Sequence, residues 1–231
     1  MTTTDGWGMS AMDEPAGASS NGKRTGRVRD ADRSRAAILD AAEHLFADLG
    51  FQGASLAAIA DRAHVSVGLP GYFFGSKEEL HDAVLQRVFD RRNAALDRVA
   101  TDAEELLERA PEAGEEALRL LIRGYVDFLL ENPTFVWLLT RDALEHAGNR
   151  EELPRHSQRF ADRMVSLMTR AGVTEAAHAP DQLFLSLIGM CYFPLEHDAT
   201  IVAGMGQRAW SRAFHDRRVD HIVRLLLPRA T

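Results

Sequence analysis

Cysteine is nearly absent. Cys191 is the single thiol in 231 residues, which excludes an internal disulfide and fits a reducing, cytoplasmic setting. A basic excess is missing too: 27 Lys and Arg stand against 34 Asp and Glu, a formal charge of −7, so no global field steers the chain toward polyanions. No long apolar run is present. The longest, Leu183 to Leu195, is broken by Ser186 and Gly189 and is too short to span a bilayer. The first 22 residues, rich in Gly, Ser, Ala and Thr, lack the apolar segment of a signal peptide, so no membrane partner is expected. Signatures of catalysis are wanting as well: there is no glycine-rich phosphate loop and no nucleophile elbow. Asp142 with His146 four residues on, and Glu196-His197-Asp198, come nearest to a metal set, yet neither has a third ligand at diagnostic spacing. The expectation is therefore no metal, no cofactor and no catalytic residue, with Cys191 a small buried hydrophobe. A metal- or thiol-dependent sensor or enzyme on these residues is the alternative of another class.

Strand-like alternation is absent as well, and helical spacing takes its place. From Arg35 the apolar positions Ile38, Leu39, Ala42, Leu45, Phe46 and Leu49 recur at three and four residues, one buried stripe of an amphipathic helix. Gly50 stops it. Ser55 caps a short Ala-rich helix running to about Ala63. His64, Val65 and Ser66 form a turn, and Ser66 or Val67 opens a third helix. That helix carries Val67, Gly68, Leu69, Gly71 and Tyr72 outward, while Val65, Phe73 and Phe74 pin it to the first two. Its two glycines and Pro70 cost about 5 kcal/mol relative to alanine by summed propensity, so packing must hold it, and it must either start late, near Val67, or have a tightened first turn. Ser76, followed by Lys77, Glu78 and Glu79, caps a fourth helix to about Arg92 with acids in its first turn.

Two helices set across a tight turn, the second exposed, form a unit built to enter a DNA groove. The run Ile38-Leu39-x-Ala41-Ala42-x-x-Leu45-Phe46, then Gly50-Phe51, Ser55, Ile59-Ala60, Val65-Ser66, Gly68, and Phe74 with Ser76-Lys77-Glu78, resembles the DNA-binding domain of TetR-family transcriptional regulators. The match covers roughly fifty residues in the expected order. Two departures stand out: His64 occupies a place where the family usually has Gly, and Leu69-Pro70-Gly71-Tyr72 replaces the usual Thr-Leu-Tyr run.

The resemblance implies backbone contacts to DNA from Ser55, Tyr72 and Lys77, with Ser66, Val67, Gly68 and Leu69 facing the major groove. None of these groove residues offers a bidentate donor, so base readout would rest on thymine methyls, close approach at Gly68, and DNA shape. Local charge supports the assignment where global charge does not. Lys23, Arg24, Arg27, Arg29, Arg33 and Arg35 face only Asp30 and Asp32 just before the first helix, and a flexible arm of that composition can track phosphates, with Arg33 and Arg35 nearest the reader. A solvated leader without DNA contact is the equal alternative.

Three segments follow: 1–30, a disordered leader with a basic arm, in which Met9 and Met12 are candidate downstream starts; 31–77, the helix-turn-helix domain; and 78–231, a larger helical ligand-binding and dimerisation domain. The chain is expected to be all-α. Proline and glycine punctuate its second part at Pro111, Pro133, Pro154, Pro180 and Pro228. The resemblance implies that helices from about Pro180 to Phe193 and Gln207 to Leu227 pair with their copies about a two-fold axis, through Leu183, Leu187, Met190, Phe214 and Val223. Such a homodimer would set its two reading helices about 34 Å apart and call for an inverted-repeat operator. A sensor for an unidentified small-molecule effector is expected in the middle helices, walled by Phe89, Tyr125, Phe128, Trp137, Met164 and Tyr192, with Arg123, Arg141 or His146 as polar fixtures. The fourth helix is the natural lever between reader and sensor. The expected function is a repressor released by that effector; a DNA-binding regulator without ligand control is the alternative.

Overall fold

The computed structural model describes residues 20–145, 153–173 and 180–227. Helices joined by short turns make up these segments, with no strand among the described residues. The elements are α1 (Ser20–Gly53), α2 (Leu56–Arg62), α3 (Leu69–Phe74), α4 (Lys77–Arg109), α5 (Gly114–Glu131), α6 (Pro133–Glu145), α7 (Leu153–Arg170), α8 (Pro180–Glu196), a short π-helix (Asp198–Val202) and α9 (Arg212–Leu226).

The reader domain follows the apolar spacing. Ile38, Leu39, Ala42 and Phe46 of α1 are buried together with Ile59 of α2 and Phe74 of α3. Leu49 departs from the expected stripe and lies half exposed. Gly50 is the true break: φ of 76° and ψ of 174° put it outside helical space, in the left-handed half that glycine reaches without steric cost. A Cβ there would also meet Glu145 Oε1, the movable end of an exposed side chain, so it is the backbone conformation that calls for glycine. Ser55 Oγ accepts from Ala58 N at 3.1 Å and caps α2. At Ser76 the capping box is complete, Oγ accepting from Glu79 N at 3.1 Å while Glu79 Oε2 accepts from Ser76 N at 2.7 Å.

Two expectations need correction. The stretch of the basic arm from Ser20 onward is not an irregular segment but helical backbone continuous with α1; no proline interrupts the chain between Pro15 and Pro70, and arginine and alanine are good helix formers. The rest of the leader, residues 1–19, lies outside the described residues, as does His146. The fourth helix also runs well past Arg92, to Arg109, because nothing breaks it before Pro111.

In the second domain α5 and α7 pack on α4, and α6, α8 and α9 are added against α5 and one another. Its core joins Val88, Leu96, Ala100 and Leu107 of α4 to Leu118, Ile122 and Leu129 of α5, Phe135 and Leu138 of α6, and Leu167 of α7. Three ion pairs zip α5 to α9 in antiparallel register: Arg119 with Asp220, Arg123 with Asp216 at 2.6 Å, and Asp127 with Arg212. Each step moves four residues along both helices, one turn, so the pairs share a single face. No described helix is long and apolar enough to cross a membrane.

Candidate DNA-reading face and sensor core

The reading element α3 is short and begins late. Gly68 is its N-cap, and Pro70 falls in the first turn, where its missing N–H leaves no bond unmade. Pro70 and Phe74 are buried beneath it, while Phe73 is half-buried and meets Tyr72 and Phe74 edge-on. Its other side is bare. Tyr72 is 81% exposed and Val67 67%, with Ser66 and Gly68 exposed beside them and Leu69 half-buried. Tyr72 on the helix and Val67 just before it are thus large side chains left open to solvent.

The turn before α3 resolves the first departure from the family pattern. His64 has φ of 54°, the only non-glycine residue at positive φ among those described, so the place does demand left-handed backbone, where a side chain is strained. Arg35 brings its guanidinium 4.8 Å over the Phe74 ring, beside the reading helix. Arg33 lies exposed on the same helix, 3.8 Å from Asp30.

Lys77 does something the sequence did not suggest. Its Nζ donates to Phe51 O at 2.9 Å and Ala54 O at 3.1 Å, and rests 4.2 Å over the Phe51 ring. The ammonium therefore caps the end of α1 with two of its three donors.

Around the same helix end, α6 closes a clasp. Arg141 Nε donates to Ala47 O at 2.9 Å and its Nη2 to Asp48 O at 2.7 Å; Glu145 Oε2 accepts from Gln52 N at 3.1 Å. His81 of α4 is buried beneath, edge-on to Phe46 and Phe51, with Nδ1 3.9 Å from Asp142 Oδ1 of α6. Further along α1, Glu43, only 5% exposed, accepts from Arg87 at 2.7 Å, Arg91 at 2.6 Å and Thr134 Oγ1 at 2.6 Å. Burial pushes its carboxyl up, but bonds from Thr134, Arg91 and Arg87 outweigh that and hold it below its usual 4.5. On its other flank α6 is tied to α8, through Tyr192 Oη to Val136 O at 2.5 Å and Thr140 Oγ1 to Glu196 Oε1 at 2.7 Å.

The expected sensor residues fall into two groups. Phe89, Tyr125, Phe128 and Met164 are buried in the core of α4, α5 and α7. Phe135 meets Phe89 and Phe128 edge-on, and burial pushes the Tyr125 phenol up. Tyr192 is half-buried and bonded to α6. Arg123 and Arg141 stand apart, the first in the α5–α9 ion-pair ladder and the second in the clasp on α1; Trp137 is partly exposed. Sequence reasoning missed Arg92. It is only 5% exposed, its guanidinium lies 4.9 Å from the Phe89 ring and 4.6 Å from that of Phe160, and its Nε and Nη2 donate to Asn93. Burial lowers it to about 10, so it remains charged at neutral pH. The signal available was an arginine on the apolar face of the fourth helix, three residues after Phe89.

Of the expected dimer residues, Leu187 and Val223 are buried within the chain itself, whereas Leu183, Met190 and Phe214 are half-buried. The outer face of the same helices carries Leu185 and Phe193 on α8 and Leu225 on α9, all exposed. Cys191 is 1% exposed and its thiol is pushed up to about 12 by burial, an inert packing residue at neutral pH. No cluster of three metal-ligating side chains occurs among the described residues.

A helix-turn-helix with a bare reading helix, carried on a larger helical domain, defines a transcriptional regulator of the TetR type. The family model described as bacterial regulatory proteins, tetR family, matches residues 38–84, and that of the tetracyclin repressor-like C-terminal domain matches residues 115–226. The chain belongs to the TetR family of DNA-binding transcriptional regulators, which are not enzymes. It is 28% identical over 179 residues to the HTH-type transcriptional repressor NicS of Pseudomonas putida, covering 74% of this chain and 80% of that one. It is 37% identical over 114 residues to the HTH-type transcriptional activator FasR of Mycolicibacterium smegmatis, a match spanning 48% of this chain and 50% of FasR. In fold it is similar to AibR, solved in complex with isovaleryl coenzyme A and operator DNA, with a TM-score of 0.61 at 21% identity over 85% of this chain and 98% of AibR. The regulator PfmR of Thermus thermophilus gives a TM-score of 0.56 at 21% identity over 81% of this chain and 97% of PfmR.

Proposed function

We propose that this protein is a cytoplasmic, nucleoid-associated homodimeric repressor that occupies an inverted-repeat operator and leaves it when a small-molecule effector binds the second domain. The exposed face formed by α3 and the turn before it carries this reading: Tyr72 on the helix, and Val67 and Gly68 just before it, face solvent while Pro70 and Phe74 are buried on the other side. In this reading Ser55 and Tyr72 take phosphates, Ser66, Val67, Gly68 and Leu69 take the groove, and Arg33 and Arg35 take the flanking backbone. The third donor of Lys77 can reach a phosphate while the other two hold α1.

Pairing is assigned to α8 and α9, through Leu183, Met190 and Phe214 together with the exposed Leu185, Phe193 and Leu225. Leu187 and Val223 support that face from inside. The effector site is assigned to the core around Phe89, Tyr125, Phe128, Met164 and Tyr192, with Arg92 as its buried charge and Trp137 at its edge. A relative named a repressor supports repression, and a structural neighbour solved in complex with isovaleryl coenzyme A and operator DNA supports a regulator that takes both a small ligand and DNA. Release requires a differential affinity: an effector favouring the DNA-incompetent state by about 3 kcal/mol lowers operator binding roughly 150-fold. The clasp makes α6, alongside α4, a route by which the second domain moves the reader.

Stoichiometry on DNA tests the reading. Two chains per selected duplex, with affinity lost when either half-site is scrambled, is the expected result. One chain on a single unrepeated site contradicts it.

A further inference from the structure

Two faces of α9 are accounted for. Asp216 and Asp220 pair with Arg123 and Arg119 of α5, and Phe214 and Leu225 belong to the face assigned to a second copy. His215 lies on neither. It heads an inner stripe with Val219, Ile222 and Val223, all buried, at the spacing of one helix face. The residue is 2% exposed, and neither Nδ1 nor Nε2 has a hydrogen-bond partner among the described residues. Buried side-chain nitrogens are bonded in the large majority of cases, so a ring with both bare is an exception.

A neutral imidazole carries one N–H and one lone pair, whereas the protonated ring carries two N–H donors and a full charge. A buried charge is far more costly than a buried neutral group. The acids around the ring are engaged elsewhere: Asp127 of α5 with Arg212, Asp216 with Arg123, and Asp198 of the π-helix with Ala209 N at 2.5 Å. Burial therefore pulls the ring below its ordinary 6.5, and Arg212 adds to the pull. The nearby Ala209 backbone, Asp127 and Asp216 act the other way without offsetting it.

We infer that His215 is a proton-operated latch: the neutral ring lets the inner stripe of α9 lie on α5, and a proton on it drives α9 away, making acid a second releasing signal for the regulator. The release rests on the pairing assigned to α9. A ring that resists protonation in the folded chain contributes stability that is complete above 6.5 and is lost as the pH falls below it. Each pH unit in that window is worth up to about tenfold in the opening equilibrium. Glu43 titrates below 4.5, outside the window. His81 is the other buried histidine among the described residues, so variants must identify the group.

Hydrogen exchange of the full chain at about pH 7 and about pH 5.5, read as protection factors, tests the latch, with the dimer constant measured by sedimentation in the same buffers. The expected result is α9 protection at least about threefold lower at the acid pH, with pairing weakened in step. His215→Phe and His215→Gln each remove the titrating ring and should hold α9 protection level between the two buffers, whatever its value at neutral pH. An α9 that keeps its protection in the wild type, or loses it equally in both variants, overturns the inference. Loss of α9 protection in the wild type alone with an unchanged dimer constant upholds the latch and overturns the pairing assigned to α9, so the two failures are told apart.

Discussion

Arg141 of α6 donates to the carbonyl oxygen of Ala47 in α1 at 2.9 Å, so a side chain of the regulatory domain closes the open end of the reader's first helix. The last carbonyls of a helix have no partner within it, and a cation there also meets the negative end of the helix dipole. Replacing Arg141 with Ala should lower stability by about 1–2 kcal/mol, visible in thermal melting. Operator affinity should fall as well, since the α1 end positions α2 and α3. An unchanged melting temperature would remove the clasp from the account.

The left-handed turn predicts a gain. His64→Gly relieves a side chain held at φ of 54° and should stabilise the protein by about 1 kcal/mol. A melt that shows a loss instead would mean that the imidazole makes a compensating contact.

Glu43 predicts the acid limb of stability. Its carboxyl titrates below 4.5 in the folded protein, so its contribution is complete above that value and is lost as the pH falls through the lower folded value. Glu43→Gln should flatten the dependence of unfolding free energy on pH below about 5, and Glu43→Ala should cost about 1–2 kcal/mol at neutral pH by removing the shared acceptor of Arg87, Arg91 and Thr134. Denaturant melts from about pH 3 to 7 check both.

Much of this was legible in the chain. The stripe Ile38, Leu39, Ala42, Phe46, the stop at Gly50 and the caps at Ser55 and Ser76 are local signals, and local signals survive in one dimension. The sequence puts the start of α3 two residues early, at Val67 where the helix opens at Leu69, although Pro70 does mark the first turn. What stayed hidden depends on partners distant in sequence. Nothing near Arg141 says that Ala47 and Asp48 need capping, and nothing near Lys77 says that its ammonium serves Phe51 and Ala54. The α5–α9 ladder did leave a trace, in the four-residue spacing of Arg119, Arg123 and Asp127 against Arg212, Asp216 and Asp220. Matching the two required knowing that the helices run antiparallel side by side. Continuation of α1 back to Ser20 was masked by composition, since basic, glycine-containing stretches are usually solvated chain.

Reader residues should separate from structural ones. Tyr72→Ala and Gly68→Ala should leave stability within about 0.5 kcal/mol, since Tyr72 is exposed and a Cβ at Gly68 meets nothing within 4 Å. Both should weaken operator binding about tenfold or more. Lys77→Ala should instead lower the melting temperature as well, because two carbonyls lose their donor. Equal behaviour of all three in melting and in DNA titration would contradict this division.

The most direct measurement is selection of bound duplexes from a random pool at low ionic strength, followed by sequencing. The account predicts an inverted repeat whose half-sites are centred about one helical turn apart, with positions facing Val67 and Gly68 enriched in A·T pairs. Enrichment of no sequence, or of one unrepeated half-site, would contradict it.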